Sequence, residues 1–332
     1  MVHFVGAGCG APDLITLRGR RLLEEADVII YAGSLVNPAL LGFAKKDCRI
    51  YNSAQMTLEE VIAVMEEAES RQQMTVRLQT GDPSLYGAIR EQIDCLKEQE
   101  ISYDVTPGVS SFCGAAAALD AEYTLPGITQ SVIITRMAGR TPVPEAESIA
   151  SFAAHGCAMV IFLSAGMLEG LQRELLKGAY TEQTPAAIVY KASWPEERTL
   201  RCPLGNLARC GKEAGISQTA LVMVGNFLGD VYDRSCLYDP AFTTKYRQGT
   251  DTEGNAAQAA QRSGRGFWRE RMSLLQTGSL HSASEQITKV CRTGQSGFFS
   301  RATICFLSVR QESPYVRSRL MSGKNKAIRL WS

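Results

Sequence analysis

The chain has 332 residues, of which 45% are hydrophobic and 21% charged, so we expect a packed core and about two domains. No apolar run approaches the ~20 residues of a membrane-spanning helix, and no basic stretch precedes an apolar run near the start. The ten cysteines lack the spacing of metal ligands. We therefore expect a cytoplasmic protein with reduced thiols, no membrane contact and no protein-bound metal.

The formal net charge of +1 conceals two parts of opposite sign. Residues 1–250 carry a net charge of −7, whereas residues 251–332 carry +8 and include 12 serines. The second part has no sustained helical or strand period, so we expect a poorly ordered basic tail. Two interpretations of it stay open: an extension that recruits an anionic partner, or sequence read in a shifted frame beyond a gene's true end.

In chain order, "HFVGAG" predicts a buried strand that runs into a glycine turn, and "TLRGRRLLEEAD" predicts a helix with Thr16 as its N-cap. The strand "VIIY" follows, and then Thr57 and Glu60 have the spacing of a capping box at the start of a second helix. "MTVRLQ" predicts a strand before a helix that ends near Gln99, and "YDVTPGVSS" predicts a strand and loop before the helical run "CGAAAALDA".

Pro126 and Gly127 interrupt this alternation, so we predict a hinge at 119–127 between domains at 1–118 and 128–250. The second set of strands reads "SVIITR", "AMVIFLSAG", "AAIVYKAS" and "TALVMVGNFLG", with helices to about Lys177 and near 204–214. Alternating strands and helices predict an α/β fold with a parallel sheet.

Four loops rich in glycine, proline and hydroxyl residues follow predicted strands, at 6–10, 80–83, 106–111 and 164–167. Ligands of open α/β sheets bind at these strand ends, and glycine permits close backbone approach. The first loop reads G-x-G-x-G, and the second strand ends in Tyr31-Ala32-Gly33 without the acidic residue of a dinucleotide site. A nicotinamide site is therefore weakly supported, and the Walker A pattern is absent.

Taken in order, the four loops resemble those of the tetrapyrrole methylases over about residues 1–247. The resemblance implies two α/β domains with a cleft between them, and S-adenosylmethionine as the methyl donor. The stretches "YAGSLV", "TRMAGRTPVPE" and "LYDPAFTTKYR" are similar to a corrin-ring branch of that family. Ala32-Gly33 stands where the uroporphyrinogen branch has an Asp-Arg pair, which favours the same branch.

The resemblance also implies which residues contact the methyl donor. The family's opening motif V-G-A-G-P-G-D-P has Cys9 and Ala11 here in place of Pro and Asp, but a backbone contact does not need proline. Carried over position by position, the implied cofactor contacts are Cys9, Thr80, Gly81, Asp82, Leu85, Ser110, Ser111, Met167 and Ala192.

The implied substrate is a corrin precursor with many carboxylates, which calls for cationic side chains. Arg136 and Arg140 are the candidates, because "TRMAGRTP" follows a strand at the expected mouth of the cleft. Other cations near the loops are Arg18, Arg20, Arg21 and Lys191. No catalytic residue is assigned, because alignment with an activated sulfonium can by itself supply ~7–11 kcal/mol. We expect His3 and His155 to be structural.

Several alternatives stay open. The methyl could go to another ring position, or the chain could act on a protein in diphthine synthesis. A nicotinamide oxidoreductase would bind NAD instead. The basic tail, with aromatic residues among its arginines at 267–268 and 298–299, is compatible with nucleic-acid binding, which we do not expect. The expected partners are the small-molecule precursor and a second copy of the chain in a homodimer.

Overall fold

The computed structural model describes residues 1–250, and the expectations about the tail at 251–332 lie outside the described residues. The chain forms two compact units, Met1–Tyr238 and a second from Asp239 onward, which is described only as far as residue 250. Within the described part, no helix has the length and apolar character needed to cross a membrane. All elements below belong to the first unit.

The first sheet is parallel throughout, as predicted, with the strand order β3-β2-β4-β1-β5. Its strands are β1 (Val2–Gly6), β2 (Val28–Tyr31), β3 (Arg49–Asn52), β4 (Thr75–Gln79) and β5 (Tyr103–Thr106). The connecting helices are α1 (Leu17–Glu25), α2 (Leu58–Ser70) and α3 (Ile89–Glu98). Every residue of β1 and β4 is buried, which suits inner strands covered on both faces.

Both helix starts predicted in this half are confirmed. The Thr16 side chain accepts a hydrogen bond from the Gly19 N–H at the start of α1. At α2, Thr57 and Glu60 each bond to the other's backbone N–H, which completes the capping box. Caps of this kind are worth about 1 kcal/mol each, so they fix where the chain turns back onto the sheet.

The second sheet is mixed, with the order β6-β7-β10-β8-β9, so the predicted parallel sheet is wrong for this half. Its first strand pair, β6–β7, is parallel and the other three pairs are antiparallel. Its strands are β6 (Val132–Arg136), β7 (Ala158–Phe162), β8 (Pro185–Tyr190), β9 (Arg198–Pro203) and β10 (Ala220–Val224). The helices of this part are α4 (Ser111–Ala118), α5 (Ile149–Ala153), α6 (Leu168–Leu175) and α7 (Leu207–Glu213).

Helix α4 packs on the second sheet. Ala115 and Leu119 share an apolar cluster with Val160, Val189 and Met223 of that sheet. The guanidinium of Arg201, on β9, donates to the carbonyl oxygen of Leu119, which ties the end of α4 to the sheet edge. The chain therefore reaches the second core by the time it forms α4, while the predicted domain boundaries stay a prediction.

Candidate active site

The loops that follow β1, β4 and β5 meet backbone to backbone. Gly8 and Gly81 exchange two hydrogen bonds, with N···O distances of 3.2 and 3.0 Å. A Cβ atom on Gly6 would lie 2.5 Å from the Cα of Gly108 and 2.6 Å from the Gly81 oxygen. No side chain fits there, so the three loops form one continuous surface, called the glycine wall below (6–10, 80–83 and 106–111).

Asp82 ties two loops of the glycine wall together. One carboxylate oxygen accepts from the Gly108 N–H at 2.9 Å, and the other accepts from the Ser84 N–H at 2.8 Å and from its hydroxyl. Burial acts to raise the pKa of Asp82, but the hydrogen bonds from Ser84 and Gly108 outweigh it and lower that pKa below the ordinary value. The carboxylate is therefore ionised at neutral pH and acts as a fixed acceptor.

Unpaired polar atoms lie at the same strand ends. The buried hydroxyls of Thr80 and Thr106 and the buried amide nitrogen of Gln79 have no hydrogen-bond partner among the described residues. A buried polar group without a partner is costly and calls for an explanation, such as a ligand that completes it. S-Adenosylmethionine carries a carboxylate, an ammonium and ribose hydroxyls, so its chemistry fits these polar groups and the close backbone approach that the glycines of the wall permit.

The loop between β8 and β9 closes on the first glycine loop. Ala192 is buried, and a Cβ atom on Gly10 would lie 2.7 Å from its carbonyl oxygen. The Cys9 thiol lies 3.2 Å from the Ser193 hydroxyl. Gly114 of α4 also packs on Cys9, since a Cβ atom there would lie 2.8 Å from the sulfur. The sequence did not reveal Ser193, because nothing local marks a contact with a residue 184 positions away.

The remaining predicted cofactor residues occupy three places. Ser110 and Ser111 begin α4, and a Cβ atom on Gly81 would lie 3.4 Å from the Ser110 Cα and from the Ser111 nitrogen. The N–H of Leu85 donates to the Asp82 carbonyl, which places Leu85 in the turn after the wall. Met167 ends the turn at 165–167, directly before α6, and its side chain faces Gly139. Their assignment as cofactor contacts stays a prediction.

The two substrate candidates differ in their surroundings. The Arg136 guanidinium donates to the carbonyls of Thr141 and Pro142 at 3.3 and 2.7 Å, so it holds the shape of its own loop. It also lines a cavity of about 160 Å³ with Tyr86, whose ring centroid lies 5.4 Å from that of Phe162. Arg140 is exposed. Substrate binding by either arginine stays a prediction.

The other singled-out charged residues have partners or lie in solvent. His3 is buried with its Nδ1 2.8 Å from the Asp104 carboxylate on the neighbouring strand, as expected of a structural residue. His155 is exposed, as are Arg18, Arg20 and Arg21. In residues 1–250, no three His, Cys, Asp or Glu side chains are grouped so that they could hold a metal ion. The expected lack of a protein-bound metal stays a prediction.

The comparisons define the class of protein. Residues 1–208 match the tetrapyrrole (corrin/porphyrin) methylases. The chain belongs to this family, so the expected family and methyltransferase class are confirmed.

Individual proteins similar to this chain indicate a particular branch of the family. The chain is 51% identical over 248 residues to a cobalt-precorrin-4 C(11)-methyltransferase of Methanocaldococcus jannaschii, covering 74% of this chain and 96% of the relative. It is 43% identical over 248 residues to a precorrin-4 C(11)-methyltransferase of a Sinorhizobium species, covering 74% and 98%. The three stretches at 31–36, 135–145 and 237–247 predict similarity to a corrin-ring branch of the family. These relatives confirm that prediction.

Two solved structures of methyltransferases are similar to this chain in fold. The X-ray structure of a cobalamin biosynthetic enzyme, cobalt precorrin-4 methyltransferase, is 41% identical with a TM-score of 0.68, covering 69% of this chain and 96% of that one. A uroporphyrin-III C-methyl transferase from Thermus thermophilus, complexed with S-adenosyl homocysteine, is 26% identical with a TM-score of 0.58, covering 68% and 98%. The expected two-part α/β methylase fold is confirmed.

We expect a Cys9→Pro variant to keep its activity within about tenfold of the unaltered protein. Tenfold corresponds to about 1.4 kcal/mol in the free energy of the transition state. Proline is the family's usual residue here, and the sulfur makes one polar contact, with Ser193, besides packing against Gly114. Steady-state kcat/KM for methyl transfer measures the effect. A larger loss would show that the thiol itself, or a backbone conformation that proline cannot adopt, is required.

Proposed function

We propose that the chain transfers a methyl group from S-adenosylmethionine to C11 of precorrin-4 or its cobalt complex in corrin-ring synthesis. The observation that carries this proposal is the meeting of the glycine wall with Ala192 and Ser193 from the other half of the first unit. The likeness to two precorrin-4 C(11)-methyltransferases supplies the ring position.

Bound S-adenosylmethionine supplies an electrophilic methyl group on a sulfonium. The protein's task is then to hold two molecules in line and exclude water, which needs no nucleophilic side chain. In our proposal the glycines of the wall let the donor approach the backbone closely, and Asp82 keeps two of the wall's loops in register through Gly108 and Ser84. The unpaired hydroxyls of Thr80 and Thr106 complete polar contacts with the donor.

We also propose where the substrate binds and how the enzyme is organised. The precursor's carboxylates are met by Arg140, which is exposed, and by donors of Arg136 that its loop carbonyls leave free. A guanidinium has five N–H donors, and the three contacts of Arg136 occupy only part of them. The enzyme works as a cytoplasmic homodimer on a small molecule, without a nucleic-acid partner or a protein-bound metal.

The test is incubation of the protein with methyl-labelled S-adenosylmethionine and precorrin-4, with and without cobalt. The expected product carries the label on C11, located by nuclear magnetic resonance, and the two arms identify the preferred form of the substrate. Uroporphyrinogen III and NAD serve as comparison ligands. Label at another ring carbon, transfer to uroporphyrinogen alone, or binding of NAD in place of the methyl donor would each contradict the proposal.

A chain truncated after Thr250 is expected to keep cofactor binding, methyl transfer and its oligomeric state. The match to the first relative takes 248 residues of this chain and 96% of that enzyme, and every proposed site residue precedes residue 198. Matched kinetics and size-exclusion profiles of the full and truncated chains test this. A loss of kcat/KM beyond about tenfold, or a different elution volume, would show that residues 251–332 support the enzyme.

A further inference from the structure

The loop between β8 and β9 holds an unusual backbone conformation. Lys191 and Ser193, on either side of Ala192, have φ values of 48° and 63°, which are uncommon for residues other than glycine. Such conformations persist only where surrounding contacts enforce them, and they concentrate at ligand clamps and active sites.

Internal contacts brace the loop. The N–H of Trp194 donates to the Lys191 carbonyl and the N–H of Glu197 to the Trp194 carbonyl, both at 3.0 Å. The Glu197 carboxylate accepts from the Ser193 N–H at 2.6 Å. The Lys191 ammonium lies 5.1 Å from the centroid of the Trp194 ring. The loop is therefore a rigid unit rather than a slack connection between two strands.

This rigid unit contacts three consecutive residues, namely Cys9 and Gly10 of the first glycine loop and Ala11 directly after it. The Ser193 hydroxyl accepts a hydrogen bond from the Ala11 N–H at 3.0 Å and lies 3.2 Å from the Cys9 sulfur. Between them, a Cβ atom on Gly10 would lie 2.5 Å from the indole nitrogen of Trp194. No backbone carbonyl of the first loop accepts a hydrogen bond from the Ala11 N–H, so the Ser193 hydroxyl is its acceptor.

We propose that the β8–β9 loop (191–197) is a clamp that fixes the first glycine loop, and that Ser193 is its positioning residue. Gly8 pairs with Gly81, so displacement of residues 9–11 disturbs the wall against which the methyl donor binds. Ser193 acts through Ala11 and Cys9 and sets the affinity for S-adenosylmethionine. This inference rests on the proposed function, because it assigns the wall to that donor.

The experiment compares Ser193→Ala with Ser148→Ala. Ser148 is a matched control because its hydroxyl also accepts a backbone N–H, that of Ser151 at the start of α5, away from the wall. The readouts are the Kd for S-adenosylhomocysteine by calorimetry and the melting temperature. Ser193→Ala is expected to raise the Kd about tenfold, which is about 1.4 kcal/mol, and to raise KM for the donor with little change in kcat. Ser148→Ala is expected to leave the Kd unchanged.

Two further variants keep the test decisive. Ser193→Asn retains an oxygen acceptor on a residue that tolerates positive φ, so it should recover part of the affinity. Gly10→Ala places a Cβ atom against the Trp194 ring, so it displaces the first loop from the clamp without removing a hydrogen bond. It should weaken binding of S-adenosylhomocysteine at least as much as Ser193→Ala does.

The possible results distinguish failure of the proposed function from failure of the clamp. If the unaltered protein does not bind S-adenosylhomocysteine, the proposed function fails. If it binds, and folded Ser193→Ala or Gly10→Ala binds equally well, the clamp is overturned while the proposed function stands. Loss of affinity in both variants, with partial recovery in Ser193→Asn, supports the clamp.

Discussion

A Gly81→Val variant is expected to fold but to bind S-adenosylmethionine about a hundredfold more weakly, a loss of about 2.7 kcal/mol. Gly81 has a φ of 61°, a conformation that a β-branched residue adopts only with strain. A Cβ atom there would already touch the Ser110 Cα and the Ser111 nitrogen at 3.4 Å, so the methyl groups of valine would press on the start of α4. Calorimetric titration with the donor measures the effect.

The control for this variant is Gly215→Val. Gly215 has a similar φ of 68°, but an added Cβ atom would meet no other atom within 4 Å. It therefore introduces the same backbone strain without crowding the wall, and its cost should appear in the melting temperature alone. Unchanged donor affinity in folded Gly81→Val would remove the 80–83 loop from the cofactor site.

An Asp82→Asn variant is expected to lose about 10- to 100-fold in donor affinity, because hydrogen bonds to a charged acceptor are worth about 1.5–3 kcal/mol. An amide has one oxygen, so it cannot accept from both Ser84 and Gly108 through separate oxygens as the carboxylate does. Its NH₂ group would face an N–H donor. Asp94→Asn is the control, because that carboxylate is also ionised, beside Arg90, but lies exposed on α3.

The same carboxylate predicts a pH dependence. The pKa of folded Asp82 lies below its ordinary value of 3.8, so its contribution to stability is complete above pH 3.8 and is lost as the pH falls through the lowered pKa. Stability measured between neutral pH and pH 3 should therefore decline less steeply in Asp82→Asn. An identical acid decline in both proteins would show that Asp82 is not held by these hydrogen bonds.

The sequence predicted those features that local patterns determine. The N-caps at Thr16 and Thr57, four of the five strands of the first sheet and the positions of the glycine loops each follow from a few neighbouring residues, whereas β3 was not predicted. Parallel strands joined by helices are also the arrangement that an alternating pattern favours. The resemblance to a family then indicated which loops belong to one site.

Other features depend on pairing between distant segments. Strand β9 is an edge strand in which the half-buried Leu200 and Cys202 alternate with exposed residues, and its sequence is too polar to predict a core strand. The contact of Ser193 with Cys9 depends on how two loops 184 positions apart are brought together. Arg136 turns back to the carbonyls of the loop that follows it, which its place at the end of a strand does not indicate. Such contacts follow from tertiary packing, and no periodic pattern in the neighbouring sequence indicates them.

Helix α4 has a consequence for how the protein unfolds. Its first residues, Ser110 and Ser111, adjoin Gly81 of the wall, while Ala115 is buried in the core of the second sheet. Disrupting that core therefore also removes part of the surface proposed to bind the donor. A ligand held at Ser110 and Ser111 would stabilise both sheets at once by mass action, because it binds only when both are folded. Through this one helix, the free energy of ligand binding becomes a source of cooperativity in folding.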